Sequence, residues 1–332
     1  MPGLFSPLTI KNFTLRNRIV LPPMANNMAG SDGAVTNTHI EHYVRRARAG
    51  VGMVIVEHTY VRWDGRANVR QLGIYDDSLI PGLRALADAV RASGAVVGIQ
   101  ITHAGGKATH ATIGAQPVAP SEGLVPGAAE PARALAADEI DAIVEAFAAG
   151  ARRAMVAGFD FVEIHGAHGY LLNQFLSPLT NRRTDAYGGD LQRRLTLPLR
   201  VVAAVRAEVP ANRLLLYRLG VNDYLPGGLT EEEGKQAARA LAAAGVDLLD
   251  ISGGLIGAST PDWDGISQGY FVPTAAAVRA VVDVPVVVAG GITDPLYADR
   301  IIREGLVDLV AIGRAMLANP DWAAEARALV AS

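Results

Sequence analysis

Residues 137–174 read ADEIDAIVEAFAAGARRAMVAGFDFVEIHGAHGYLLNQ. The stretch opens as an amphipathic helical pattern and ends that pattern at Gly158, a residue suited to a left-handed C-cap. FDFVEI follows, an apolar run of strand length. Two histidines, His165 and His168, then stand three residues apart, with Tyr170 close behind. Helix, glycine, strand and a polar exit form one unit, and the unit recurs along the chain.

Eight apolar runs read as strands: 18–21, 52–57, 96–101, 161–164, 214–218, 248–252, 284–289 and 308–312. Most are continuously apolar and rich in Val and Ile, as strands covered on both faces should be. Helical patterns alternate with them. Three end in Gly50, Gly94 and Gly245, and the last begins at Thr230 with an acidic first turn, matching an N-cap and the helix dipole. Eight strand–helix repeats predict an α/β fold, a parallel (β/α)8 barrel, over a single domain spanning residues 1–332. PLTI and FTLRN flank Lys11–Asn12 near the start and predict a hairpin capping the barrel's bottom. Two long segments, 103–137 and 165–190, follow strands three and four. Both therefore lie on the face where barrels build their sites.

Composition narrows the function. The 332 residues are 50% hydrophobic and 19% charged, with net charge −3, so a large core is expected and disorder is not. No basic block points to nucleic acid. The pairs Arg45–Arg46, Arg152–Arg153 and Arg193–Arg194 are expected on solvated helix faces. Cysteine is absent, which removes disulfides, thiolate nucleophiles and cysteine-held metal or iron–sulfur sites. The N-terminal residues lack the apolar core of a signal peptide, and no apolar run is long enough to span a membrane, so a cytoplasmic location is expected.

The polar residues at strand ends carry the chemistry. Gly290 and Gly291 follow strand seven; Gly313 and Arg314 follow strand eight. Barrels bind phosphate at that place, with close glycine backbone and a bidentate cation. No nucleotide-binding glycine fingerprint or P-loop occurs, so the phosphate belongs to something held by the barrel. Gln100 can pair with a ring that has donor and acceptor edges, and Arg218 can stabilise negative charge on that ring; a reduced flavin needs both. His165 and His168 have two competing readings, a metal pair and a pair of core histidines. The other ligands of a metallohydrolase barrel are missing from strands one, five, six and eight, and no metal is expected.

These residues resemble a known family. HGAHGYLLNQFLSPLTNRRTDAYGG is similar to the signature of the Old Yellow Enzyme family of FMN-dependent ene-reductases. LFSPLTIKNFTLRNRIVLPPM, GIQITHAGGKA, VVAGGITDP and DLVAIGRAMLANP resemble the family's other segments in order. The resemblance implies a barrel with FMN across its mouth and NADH or NADPH as transient hydride donor. It places Pro23, Met24 and Ala25 along the flavin and His58 beside it. Gln100 would read the pyrimidine edge, Arg218 would sit near N1, and Gly290, Gly291, Gly313 and Arg314 would hold the phosphate. His165 and His168 would grip the oxygen of an electrophilic alkene, Tyr170 would supply a proton, and Asn27 and Tyr270 are expected on the substrate side. Ala25, Asn26, Asn27 and His58 depart from common residues of the family and bear on flavin potential and pocket shape. The implied activity is reduction of activated C=C bonds. A quinone or nitro-compound reductase using the same FMN is the alternative, and a non-catalytic flavin-binding barrel a further one. Oligomeric state, homo-oligomer included, is left open.

Overall fold

The computed structural model describes residues 2–331. Eight parallel strands close into a barrel in chain order. They are β1 (Ile19–Leu21), β2 (Met53–Tyr60), β3 (Val96–Thr102), β4 (Phe161–Gly166), β5 (Leu214–Gly220), β6 (Leu248–Ser252), β7 (Val286–Val288) and β8 (Leu309–Ala311). Each read strand is present. All eight are buried along their length apart from Val96, which explains their nearly uninterrupted apolar composition.

The helices form the outer ring. The cap residues act as their types suggest: Thr36 Oγ accepts from His39 N at the start of α1 (Asn37–Arg48), and Gly158 takes φ 94° at the end of the helix Ala137–Ala157. Thr230 and Glu233 form a reciprocal capping box at Glu231–Ala243, with Glu233 N donating to Thr230 Oγ1 at 3.3 Å. The arginine pairs divide. Arg45, Arg152 and Arg193 are exposed or edge-placed in surface ion pairs, but Arg46 and Arg194 are buried, contrary to the expectation of solvated faces. Arg46 Nε donates to Met316 O at 3.0 Å and Arg194 Nη1 to Leu176 O at 2.6 Å, so each ties its own helix to another short helix, Arg314–Ala318 and Leu171–Leu176 respectively.

Leu8–Ile10 and Phe13–Leu15 form the antiparallel hairpin, turning at Lys11, whose φ is 49°. Ile10 and Leu15 pack with Val20, Met53, Ile55, Phe161, Leu214, Leu216, Leu248, Val287 and Leu309 inside the barrel. The hairpin therefore plugs the N-terminal end, leaving the other end open. The long segment after β3 is organised rather than loose: it holds a turn at Gly105–Lys107, a short helix His110–Ile113 and a two-stranded ladder of Val118–Ala119 with Arg133–Ala134. Among the described residues, no helix is long and apolar enough to cross a membrane.

Candidate active site

The inward-facing residues change character along the barrel axis. Above the apolar layer come Gln100, Glu163, Arg218 and Asp250, all buried. Their order follows from strand register: Gln100 pairs with Glu163, His165 with Arg218, and Arg218 with Asp250. Gln100 Nε2 donates to Glu163 Oε2 at 2.7 Å, which leaves the amide carbonyl for another partner. Arg218 Nε lies 3.1 Å from Asp250 Oδ2, yet neither atom is aligned for a hydrogen bond. Burial raises the Glu163 carboxyl well above its usual range, with Asp250 adding to the effect. Burial likewise raises Asp250, to about 6, against the pull of Arg218.

At the mouth, His165, His168 and Tyr170 come together. The His165 ring centroid is 5.0 Å from that of His168 and 5.0 Å from that of Tyr170, edge to face in both cases. His58 stacks on Tyr170 at 5.6 Å. A bulge in β2 produces that contact. The register with β3 shifts between Val56 and Thr59, so the strand's alternation is reversed there: Glu57, in step with the inward Met53 and Ile55, reaches out instead to His39 Nε2 of α1 at 2.7 Å, and His58 turns to the mouth. Gln71 Nε2 donates to His58 Nδ1 at 2.9 Å and fixes the ring. Burial holds the His58, His165 and His168 imidazoles below their usual range; Arg218 adds to this for all three, and neighbouring His168 also for His165. The two signature histidines are therefore neutral at neutral pH. Burial pushes the Tyr170 phenol up to about 12.

A cavity of about 430 Å³ opens beside these rings, with Arg218 and Ser252 on its inner wall and Gly290, Gly291, Gly313 and Arg314 at its rim. Gly290 and Gly291 have φ of 129° and 68°, and a Cβ on Gly291 would lie 2.9 Å from the Tyr270 ring, so side chains are excluded there. Arg314 is held in place: its guanidinium lies 4.1 Å from the Trp263 ring centroid and its Nη2 donates to Tyr270 Oη at 2.7 Å. Such a cradle suits a phosphate. The cavity, the glycine rim, the preset Arg314 and the unaligned Arg218 Nε fit a phosphate-bearing planar cofactor such as FMN.

Not every expected residue joins this group. Met24 lines the cavity, Pro23 is buried behind it, and Ala25 and Asn27 are exposed outside the lining. Tyr270, expected on the substrate side, stands at the phosphate end, with its hydroxyl committed to Arg314 and to Ala258 O. Lys107 and Trp263 were not singled out from the sequence, because each depends on a contact between distant loops. Lys107 Nζ, for example, donates to His168 O at 2.8 Å across 61 positions. Among the described residues, no cluster of three His, Asp or Glu side chains is placed to hold a metal.

Comparison with known proteins gives this geometry a lineage. The model of the NADH:flavin oxidoreductase / NADH oxidase family matches residues 3–330. The chain belongs to that family, whose cofactor is FMN. It is 42% identical over 331 residues to an NADH oxidase of Thermoanaerobacter brockii, covering 98% of this chain but 51% of the relative. The chain thus spans about half the length of that relative. It is 42% identical to an NADPH dehydrogenase of a Geobacillus strain, covering 96% of this chain and 92% of that one. The solved structure of an Old Yellow Enzyme homologue from Zymomonas mobilis superposes with a TM-score of 0.85 at 30% identity, covering 96% and 91% of the two chains.

Proposed function

We propose that this chain takes hydride from NADH or NADPH and reduces the C=C bond of an alkene activated by a carbonyl or nitro group. The observation that carries the reading is the packing of two neutral imidazoles and one phenol, with ring centroids 5.0 Å apart, at the open end of the barrel. When bound, FMN would supply the redox chemistry, receiving a hydride and passing it to the alkene β-carbon. Pro22 and Met24, which line the cavity, would border it, the Gln100 carbonyl would meet its pyrimidine edge, and Gly290, Gly291, Gly313 and Arg314 would hold its phosphate.

The remaining steps belong to the protein. Negative charge develops on the carbonyl or nitro oxygen as the β-carbon gains hydride. His165 and His168, neutral and fixed in place, donate N–H groups to that oxygen; one such donor is worth about 10²–10³ in rate. The Tyr170 hydroxyl then transfers its proton to the α-carbon, completing addition of a hydride and a proton across the double bond. The names of the relatives support both nicotinamides as donors and do not choose between them.

The test is an anaerobic titration followed by visible absorption. NADPH or NADH should bleach the flavin band of the purified protein, and 2-cyclohexenone should restore it. In Tyr170→Phe the bleaching should be unchanged and the return with enone slower by about 10²–10⁴-fold. Return with quinone alone, at a rate indifferent to Tyr170, would replace this reading with that of a quinone or nitro-compound reductase.

A further inference from the structure

We propose that the Ser252 hydroxyl sets the tautomer of His168, so that this ring donates to the substrate oxygen through Nδ1. Ser252 would thus be a positioning residue for the reaction proposed above, and the inference rests on that reading of the histidine pair. Ser252 closes β6 and is 2% exposed. Its Oγ lies 2.7 Å from His168 Nε2.

A neutral imidazole carries one N–H, and a hydroxyl can give or receive, so two arrangements share this contact. In one, Nε2–H donates to Oγ. Nδ1 is then a bare lone pair, which would repel an oxyanion. In the other, the hydroxyl donates to Nε2, and Nδ1 carries the proton that an oxyanion needs. The surroundings decide between them. His168 Nε2 is the hydrogen-bond partner of Ser252 Oγ, and no second one is found among the described residues. Were Nε2 to donate, the serine O–H would have no protein acceptor among the described residues, a loss for a hydroxyl so little exposed. Only a ring protonated at Nδ1 satisfies both groups with protein partners.

The ring cannot evade this by swinging away. His168 N donates to Gly253 O at 3.1 Å, next to Ser252 in sequence, and Lys107 Nζ fixes the carbonyl at 2.8 Å. The residue is held in the left-handed region at φ 59°. Among the described residues its Nδ1 has no hydrogen-bond partner and is not one of the sealed, unpartnered atoms, whereas His165 Nδ1 is. His165 is therefore left to donate through Nε2, and the two rings approach one oxygen with different nitrogens.

Two measurements on the FMN-loaded protein test the assignment. With ¹⁵N-labelled histidine, and His168→Asn used to assign the signal, the His168 ring should resonate as the Nδ1–H tautomer. Ser252→Ala should move it toward Nε2–H or a mixture, and Ser252→Thr, which keeps the hydroxyl, should restore it. A wild-type ring protonated at Nε2, or a tautomer unmoved by Ser252→Ala, overturns the proposal. The second measurement titrates 4-nitrophenolate, a stable oxyanion. Ser252→Ala should weaken its binding about tenfold, the scale of one hydrogen bond. Equal phenolate affinity in wild type and Ser252→Ala overturns the proposal alone. A wild-type protein that binds no phenolate overturns the oxyanion grip and, with it, the inference that serves it.

Discussion

Tyr170 shows how burial tunes a single group for its task. Its phenol would titrate near 10 in water but is pushed up to about 12 by its surroundings. The sign follows: a raised phenol keeps its proton as pH rises. The protonation step should therefore show no decline up to pH 10, with loss confined to the region of 12; a rate already halved at pH 10 in stopped-flow reoxidation by enone would contradict this. Arg314 offers a second prediction at this scale. It is stacked on Trp263 and bonded to Tyr270 before any ligand arrives, so little ordering remains to be done on binding. Arg314→Ala should weaken FMN binding tenfold or more, about the loss of one charge-assisted bond, as measured by fluorescence of released flavin. Both residues could be identified in the sequence from their motifs. The role of Ser252 could not, since it arises from a contact across 84 positions with a histidine in the turn that follows another strand.

At the scale of elements, what the sequence discloses is set by whether the cause is local. Helix ends at Gly158 and Thr230 were readable because caps act within one turn. Strand existence was readable because burial on both faces leaves an apolar run. The bulge at Glu57–His58 was not: nothing in MVIVEHTY announces that one residue will slip, and simple alternation would aim Glu57 inward and His58 outward. The burial of Arg46 and Arg194 was hidden for a similar reason, since the carbonyls that receive them, Met316 O and Leu176 O, come from other elements. The loop after β7 makes a testable case. Gly290→Ala would place a methyl 3.1 Å from Phe271 N at a φ of 129°. Strain of about 1–3 kcal/mol should follow, visible in chemical denaturation of the apoprotein, together with weaker FMN binding. Thr230→Ala, at the N-cap of the helix Glu231–Ala243 and outside the cavity lining, should cost about 1 kcal/mol and leave flavin binding untouched. Equal effects of the two on cofactor affinity would refute the separation of loop and helix roles.

Across the whole molecule, the barrel separates stability from chemistry along its axis. The closed end is apolar: Leu15 and Ile10 of the hairpin pack among Phe161, Leu214, Leu248 and their neighbours. The open end is polar, and its buried Arg218, Asp250 and Glu163 are poorly satisfied by one another, with Arg218 Nε, both Asp250 oxygens and Glu163 Oε1 lacking hydrogen bonds. Unsatisfied buried groups cost free energy, so the open end is expected to weaken the fold and the plugged end to compensate. Leu15→Ala isolates that compensation. Leu15 is fully buried, and its truncation leaves a hole that a closed barrel cannot easily collapse around, so the cost should be about 2–5 kcal/mol in urea unfolding. Flavin affinity and turnover of the folded fraction should not change, because the plug and the mouth are separated by whole layers of side chains. A Leu15→Ala protein of normal stability would mean that the hairpin covers the barrel without supporting it. A stable variant with altered flavin affinity would mean that the two ends communicate through the polar layer between them.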